Sequence, residues 1–368
     1  MPTRRYCSER CVRGYTLKQQ DELVGMDVPL VSICLPVHND ADTVGETISS
    51  LLGQSHPYFE IIVSDNASTD ATREVVASFR DPRIRYRRNE TNVGAFPNWN
   101  LAIRDARGSY IAVYHADDVY HPDIVTAESV FLSEHPGAGA VFALDDWIGE
   151  DGRWIGESRL PLELSGCDLH GFHEVFESLL LHGNSFLRCP TFMARRTVFD
   201  IVGLFDEQLE PFRSARDLEF FLRLLREYPI GIIDRKLVRY RISKRQGTAD
   251  AVYLRTGESD HHRVVDHFLS LAGGQVAFPQ KAAEAYEFSR KVDELFRATN
   301  CIVTGDIERG ILLLRDGRRR LSGIAVSPVS RWAYIAYAWL LSGVVALGLA
   351  PRARGVLLRI LANRFRYY

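Results

Sequence analysis

A chain of 368 residues holds one large domain or two, with enough apolar residues for a sizeable core. Its 46% apolar and 25% charged content is that of an ordinary globular protein, and a formal net charge of −2 excludes the broad basic surface of a nucleic-acid binder. Six cysteines (Cys7, Cys11, Cys34, Cys167, Cys189 and Cys301) are scattered, and Cys7 and Cys11 have no second pair with which to build a zinc site, so free thiols are expected.

Residues 1–27 start polar and basic, show no clear period, and read as an extension. A regular alternation follows. "LVSICLPV" (30–37), "FEIIVSD" (59–65), "YIAVYHAD" (110–117) and "AGAVFAL" (138–144) read as buried strands. Between the first two, "DTVGETISSLLGQS" reads as a helix, with Thr43 and Glu46 at capping-box spacing ahead of Ile48, Leu51 and Leu52. Further helices fit "STDATREVVASF" and "FPNWNLAIRDARG". Such alternation predicts an α/β fold with a mostly parallel, helix-covered sheet, whose ligands gather beyond the strands' carboxyl ends. Four predicted strand ends carry polar clusters: His38-Asn39-Asp40, Asp65-Asn66, Asp117-Asp118 and Asp145-Asp146, and the first three form the expected site.

Beyond residue 145 the pattern changes. "WIGEDGRWIG" places Asp151-Gly152 between matching apolar triplets, a hairpin signal. "HEVFESLLLHG" and "ARDLEFFLRLLREY" read as helices, "VRYRIS" as a strand, and 250–316 as mostly helical. No G-x-G-x-x-G follows the first strand, and no Walker loop, G-x-S-x-G or H-E-x-x-H occurs, which argues against a dehydrogenase, a P-loop enzyme or an α/β-hydrolase.

The most specific local signal is Asp117-Asp118. Two adjacent acids repel unless solvation, a helix start or a cation relieves them, and a hard divalent cation takes carboxylate oxygens while leaving positions for phosphates. His115 is a possible additional ligand, although a lone histidine beside a core strand is more often simply packed. Asp65, in "SDNASTDAT", is either a turn residue or an acceptor for the imide N–H of a uracil or thymine ring. Asp217, at a helix start, is either a dipole-favoured charge or a general base. Arg216 beside it is expected to keep it ionised, and Glu219 and Asp145 are the next candidates for the base.

Taken in order, these segments resemble the family-two glycosyltransferases of the GT-A fold, over roughly residues 28–245. "SICLPVHNDADTVGETISSLLGQS" is similar to that family's opening strand and helix, "FEIIVSDNASTDAT" to its donor-binding turn, and "NETNVGAFPNWNLAIRDARGSYIAVYHADD" to the stretch leading to its D-x-D-type metal motif. "TFMARRTVFDIVGLFDEQL", "RDLEFFLRL" and "VRYRIS" resemble its acceptor-side segments and closing strand. The resemblance implies a catalytic domain over 28–245, with a nucleotide-sugar half (28–120) and an acceptor half (121–245). A helical extension would follow over 246–330.

The resemblance also implies roles. Pro36, His38 and Asp65 would line the nucleotide base, and Asp117 would approach the ribose or the metal. Asp118 would ligate Mg²⁺ or Mn²⁺ bridging the diphosphate, Arg241 would reach toward that diphosphate, and Asp217 would deprotonate the acceptor hydroxyl. The implied reaction moves a sugar, with inversion, from a UDP- or dTDP-linked donor to a glycan or lipid-linked acceptor. Two departures stand out: Arg216 where the family often has Glu, and His115 where a D-x-D-D run has its first Asp. Two other classes stay open, a nucleotidyltransferase and a non-catalytic nucleotide- or glycan-binding module. "PVHNDADTVGE" lacks the Gly-rich basic loop of the first, and Arg216 alone favours the second.

From Trp332 to Ala350 no residue is charged, which makes a membrane helix a candidate. Arg318, Arg319, Arg320 and Arg331 precede the run, and Arg352, Arg354, Arg359, Arg364 and Arg366 follow it. Positive charge on both flanks opposes a single span and favours a monotopic anchor over 331–368, with a buried helix the lesser alternative. No secretory signal is read at the N-terminus. The expected setting is therefore reducing and cytoplasmic, on the inner face of the membrane.

Overall fold

The computed structural model describes residues 28–208, 210–243, 254–271, 278–319 and 328–364. The expected N-terminal extension, with Cys7 and Cys11, lies outside the described residues. The chain divides into two compact units, one of 28–175, 184–208 and 216–242, the other of 176–183, 210–215 and the chain after 242.

The first unit is built on a ten-stranded mixed sheet of order β3-β2-β1-β4-β9-β6-β10-β5, with β7 paired to β6 and β8 to β10. Strands β1 (Val31–Val37), β2 (Phe59–Asp65), β3 (Ile84–Arg88) and β4 (Tyr110–Val113) are mutually parallel, as are β6 (Ala140–Ile148) and β10 (Ile230–Arg241). Strand β9 (Phe192–Arg195) runs antiparallel between β4 and β6 and joins the two parallel halves. The short β5 (Val119–Tyr120) and β8 (Leu169–His170) pair antiparallel with β10. Helices α1 (Val44–Leu52), α2 (Thr72–Ser78), α3 (Ala95–Asp105) and α4 (Ile124–Glu134) follow the first strands. Helices α6 (Arg196–Ile201) and α7 (Arg216–Glu227) come later, and α5 (Phe172–His182) begins in this unit and runs into the second. The core lies between sheet and helices, with Ile33, Leu35, Ile61, Val63, Ile48 and Phe131 almost fully enclosed.

The predicted sheet is present, with four corrections. Strand β4 stops at Val113, so Asp117 and Asp118 sit on a turn between β4 and β5 and do not end a strand. Strand β6 continues to Ile148, which places Asp145 and Asp146 inside it. Strand β10 begins well before "VRYRIS", and β3 and β9 carry no alternation that the sequence reading recognises. The hairpin is as expected: β7 (Trp154–Glu157) pairs with β6 across a turn where Gly152 has φ +74°, a conformation that favours glycine.

Thr43 and Glu46 do not form the expected capping box, because the Thr43 hydroxyl makes no capping hydrogen bond and Glu46 is drawn away to Arg241.

The second unit contains α8 (Asp260–Leu271), α9 (Gln280–Thr304), α10 (Ile307–Arg319), α11 (Pro328–Ala346) and α12 (Ala350–Arg364). Gly305, at φ +97°, ends α9 in the left-handed conformation and lets α10 turn back along it. Tyr334, Ala338 and Leu341 of α11 are buried with Leu295, Ala298 and Ile302 of α9, Leu314 of α10 and Leu357 of α12. The alternative of a buried helix holds for part of this segment: one face of α11 is core. Its other face exposes Trp332 (69%), Trp339 (64%) and Leu340 (53%). Of the flanking arginines, Arg352 and Arg354 are described with their side chains, and both are exposed. Among the described residues, no helix is long and apolar enough to cross a membrane.

Candidate functional site

The carboxyl ends of β1, β2 and β4 lie side by side because these strands are parallel and in register, Val37 opposite Asp65 and Cys34 opposite Val113. Just beyond β4, ligand atoms of His115, Asp117 and Asp118 all fall within 4.8 Å of one another. The turn that carries them is pinned from three sides. The Thr47 hydroxyl of α1 sits 2.9 and 2.7 Å from the carbonyl oxygens of Ala116 and Asp118. The His115 N–H donates to the Tyr120 hydroxyl at 2.7 Å, and the His115 ring packs on Trp99 of α3 with centroids 5.2 Å apart. From β10, the Arg241 N–H donates to Asp118 Oδ1 at 2.7 Å, and its guanidinium donates to the Asp117 carbonyl at 2.8 Å.

The polar atoms left over fit a cation. Asp118 is 0% exposed and, among the described residues, its Oδ2 has no hydrogen-bond partner; His115 Nε2 is likewise buried without one among them. Burial and the neighbouring Asp117 push the Asp118 carboxyl well above the usual carboxylate range. Burial also lowers the His115 imidazole, which favours the neutral form that binds metals. Asp40, facing the same edge, is pushed up to about 7 by burial and then by Asp117, Asp70 and Asp65, while the His38 N–H opposes the shift. Such crowded, partly unsatisfied oxygen and nitrogen ligands suit Mg²⁺ or Mn²⁺. His115, which the sequence offers as a possible additional ligand, is part of the cluster.

The nucleotide-side residues separate by depth. Pro36 is half-buried and His38 exposed, with His38 Nδ1 2.9 Å from the Asn66 carbonyl. Asp65 is wholly buried: Oδ1 accepts the Ser68 N–H at 2.8 Å, and Oδ2 meets the Tyr86 hydroxyl and, at 3.4 Å, Arg88. Its carboxylate is turned inward and braces the turn on which Asn66 and Ser68 stand. Arg241 is similarly enclosed. Its guanidinium is 7% exposed and points to Glu46, Asp117, Gly149 and Glu150 within the protein.

Asp217 lies in the first turn of α7, half-buried, with Oδ1 accepting the Leu218 N–H at 2.8 Å. Burial pushes it up to about 6, against the backbone N–H groups of Leu218 and Asp217 and the charges of Arg188 and Arg216. Arg216 acts in the expected direction, while its guanidinium lies over the Phe96 ring and donates to the carbonyls of Asp206, Glu207 and Gln208. Glu219 is held by Arg223 at 2.6 Å. Burial, and then the charges of Asp217 and Asp118, push the Cys189 thiol up. Arg188, which the sequence reading missed, precedes it in the chain. It reaches Asp145 at 2.9 Å, and nothing in "NSFLRCPTF" marks it beforehand.

Comparison with known proteins bears on family and fold. The model for Glycosyl transferase family 2 matches residues 32–202. A Bacillus subtilis glycosyltransferase named for teichuronic acid biosynthesis, TuaG, is 30% identical over 204 residues, 54% of this chain and 73% of that protein. The chain spans 33% of the length of two Rickettsia glycosyltransferases that it matches at 32% and 31% identity. Among solved structures, S. aureus TarS 1–349 in complex with UDP-GlcNAc superposes with TM-score 0.57 at 18% identity, covering 86% of this chain and 92% of that one. The mannosyltransferase PcManGT of Pyrobaculum calidifontis, in complex with GDP-Man and Mn²⁺, does so with TM-score 0.50 at 16% identity, covering 95% and 93%. At these identities the likeness is one of fold, and the fold is GT-A.

Proposed function

Since the chain belongs to glycosyl transferase family 2, we propose that it moves a hexosyl group from a UDP- or dTDP-linked donor to a hydroxyl of a glycan or lipid-linked acceptor, with inversion and with a divalent cation. The observation that carries the reading is the cluster of His115, Asp117 and Asp118, and the chain also holds a base candidate, Asp217. A non-catalytic module has no need of such a base, and its sole support, Arg216, is accounted for by packing on Phe96.

The residues divide the work by position. Pro36 and His38 line the base, and Asp65 holds the turn beneath it. Asp118, Asp117 and His115 hold Mg²⁺ or Mn²⁺. When bound, the cation supplies Lewis-acid stabilisation of the charge left on the diphosphate. As the acceptor oxygen bonds to the anomeric carbon and the bond to the diphosphate breaks, Asp217 takes the hydroxyl proton. A base at about 6 is mostly ionised near neutrality yet basic enough to accept it. Attack from the face opposite the leaving group inverts the centre.

A membrane-surface location on the cytoplasmic side is part of the reading. The apolar face of Trp332, Trp339 and Leu340, with exposed Arg352 and Arg354 further along, suits an anionic lipid surface. TuaG's name supports a polysaccharide product.

The test is a thermal-shift panel of nucleotide sugars with and without Mn²⁺, followed by donor hydrolysis. A donor should stabilise the fold through linkage, and only with metal present. No shift and no hydrolysis with any UDP, dTDP or GDP sugar would defeat the reading.

A further inference from the structure

Helices α10 and α11 leave between them a groove of about 260 Å³, lined by Ile311, Leu314 and Arg315 of α10 and by Ser342, Val345 and Ala346 of α11. Four of these six side chains are aliphatic, and the Ser342 hydroxyl donates to the Ala338 carbonyl at 2.8 Å, so Arg315 is the charged member. Arg315 is exposed and, among the described residues, its guanidinium has neither a hydrogen bond nor an ion pair. Arginines earlier in the same unit are engaged: Arg255 and Arg297 with Asp293, Arg263 with Glu210, and Arg290 with Asp266 and Glu258. The groove opens beside exposed apolar surface. Ser342 and Ala346 follow Trp339 by three and seven residues and so share its side of α11. Trp339, and Leu312 next to Ile311 on α10, are 64% and 61% exposed.

The sequence around the groove fixes the sign of its ligand. After Asp316 the chain has nine arginines and no acidic residue in 52 positions, although the whole chain carries a net charge of −2. An acidic macromolecule would answer that charge but has nothing to place in an aliphatic groove between two helices, and an inorganic anion would answer Arg315 alone. An anionic amphiphile answers both. We propose that the groove takes one acyl chain of an anionic phospholipid, with the lipid phosphate on Arg315 and the chain along Ile311, Leu314, Val345 and Ala346. The planar fork of the guanidinium matches two phosphate oxygens, and each methylene drawn into the groove leaves water. Trp339 beside the groove is the kind of side chain that rests at headgroup level. The site differs from adsorption of an exposed face to a bilayer, because it holds one lipid per chain and a lipid monomer suffices to fill it.

This inference takes its lipid from the membrane-surface part of the functional reading, and the experiment separates the two. Calorimetry on the full chain compares dihexanoyl-phosphatidylglycerol and dihexanoyl-phosphatidylcholine, both as monomers below their micellar concentrations, with inorganic phosphate. The wild type should bind one phosphatidylglycerol per chain saturably, about fivefold or more tighter than phosphatidylcholine, and should not bind phosphate at the same concentrations. Arg315→Gln removes the charge, and Ala346→Phe fills the groove from an exposed position. Each should weaken the phosphatidylglycerol site by about tenfold or more. Thermal melts check both variants, and if Ala346→Phe melts early, Arg315→Gln decides. No saturable binding of the monomer, equal affinity for the two lipids, equal binding of phosphate, or unchanged affinity in a folded variant overturns the inference. Cosedimentation of the wild type with phosphatidylglycerol vesicles tests the membrane-surface reading alone. Vesicle binding without a monomer site keeps that reading and discards the inference, and a monomer site without vesicle binding does the reverse.

Discussion

Arg241 Nη2 and Glu46 Oε2 lie 2.7 Å apart although 195 residues separate them in the chain. The pair ties β10 to α1, and the acidic turn is held between those elements. Arg241 also donates to the carbonyls of Asp117, Gly149 and Glu150, while its N–H holds Asp118 Oδ1. The two partners are unequal, since the Arg241 side chain is 7% exposed and that of Glu46 55%. Arg241→Met should therefore weaken Mn²⁺ binding by about ten- to a hundredfold, the usual effect of losing an outer-shell support. Glu46→Gln removes a half-exposed ion pair and should change it by about threefold or less. Calorimetric titration of both variants with Mn²⁺ and UDP checks the order, and equal losses would mean that the ion pair itself sustains the site.

The metal turn makes a second prediction. Asp118→Asn keeps an oxygen for the Arg241 N–H and removes a buried charge. It should abolish most Mn²⁺-dependent nucleotide binding, and His115→Ala should lower it by about tenfold. Stability should move the other way. The Asp118 carboxyl is raised above its ordinary value, so the unfolded chain releases this proton first as pH rises. Without metal, the wild type loses stability from this group above the ordinary carboxylate range, and Asp118→Asn should melt higher at neutral pH. A lower melting temperature with unchanged nucleotide binding would remove Asp118 from the ligand set.

These results bear on what the chain discloses before folding. Strand β2 was readable to the residue because "FEIIVSD" is, apart from Glu60, an apolar run ending in a polar pair, and it is buried on both faces. Strand β3, "IRYRR", is an edge strand whose arginines reach Glu60, Asp105 and Ser68, so its pattern advertises a loop. Glu46 shows the limit of local signals. Its spacing from Thr43 is that of a capping box, but the partner it finds lies near the end of β10. The same holds for Arg188, a lone arginine whose partners come from β6 and β10. Asp117 and Asp118 were legible because adjacent acids are costly anywhere. His115 was open to two readings, since its role depends on how the turn folds back.

The C-terminal helices give a third prediction. Truncation after Arg331 would strip Tyr334, Ala338 and Leu341 from Leu295, Ala298 and Ile302, and the C-terminal unit should unfold. The test of membrane binding must therefore spare that face. Trp339→Gln with Leu340→Gln changes exposed positions only. It should leave the thermal transition intact and lower cosedimentation with phosphatidylglycerol vesicles by about tenfold or more, as each residue forfeits about 1–2 kcal/mol of apolar transfer. Vesicle binding equal to wild type would end the membrane-surface reading.

Asp217 gives the last prediction, in which stability and activity part. Its folded pKa of about 6 lies above the ordinary value of 3.8. As pH rises through that window, the unfolded state releases the proton before the folded state does, so the stability contributed by this group falls and stays low above it. Asp217→Asn removes the penalty while keeping the shape and an oxygen for the Leu218 N–H. The variant should be more stable than wild type at pH 8, by up to about 3 kcal/mol, and the difference should vanish near pH 4. Turnover should fall by about a hundredfold or more, with donor and Mn²⁺ affinities nearly unchanged. In the wild type, kcat should lose activity below about pH 6 as the base becomes protonated. Denaturant melts at the two pH values, a pH–rate profile and single-turnover transfer measure each part. A variant that turns over normally would dismiss Asp217 as the base, and one that is less stable at pH 8 would show that its carboxylate is held by a partner stronger than the burial opposing it.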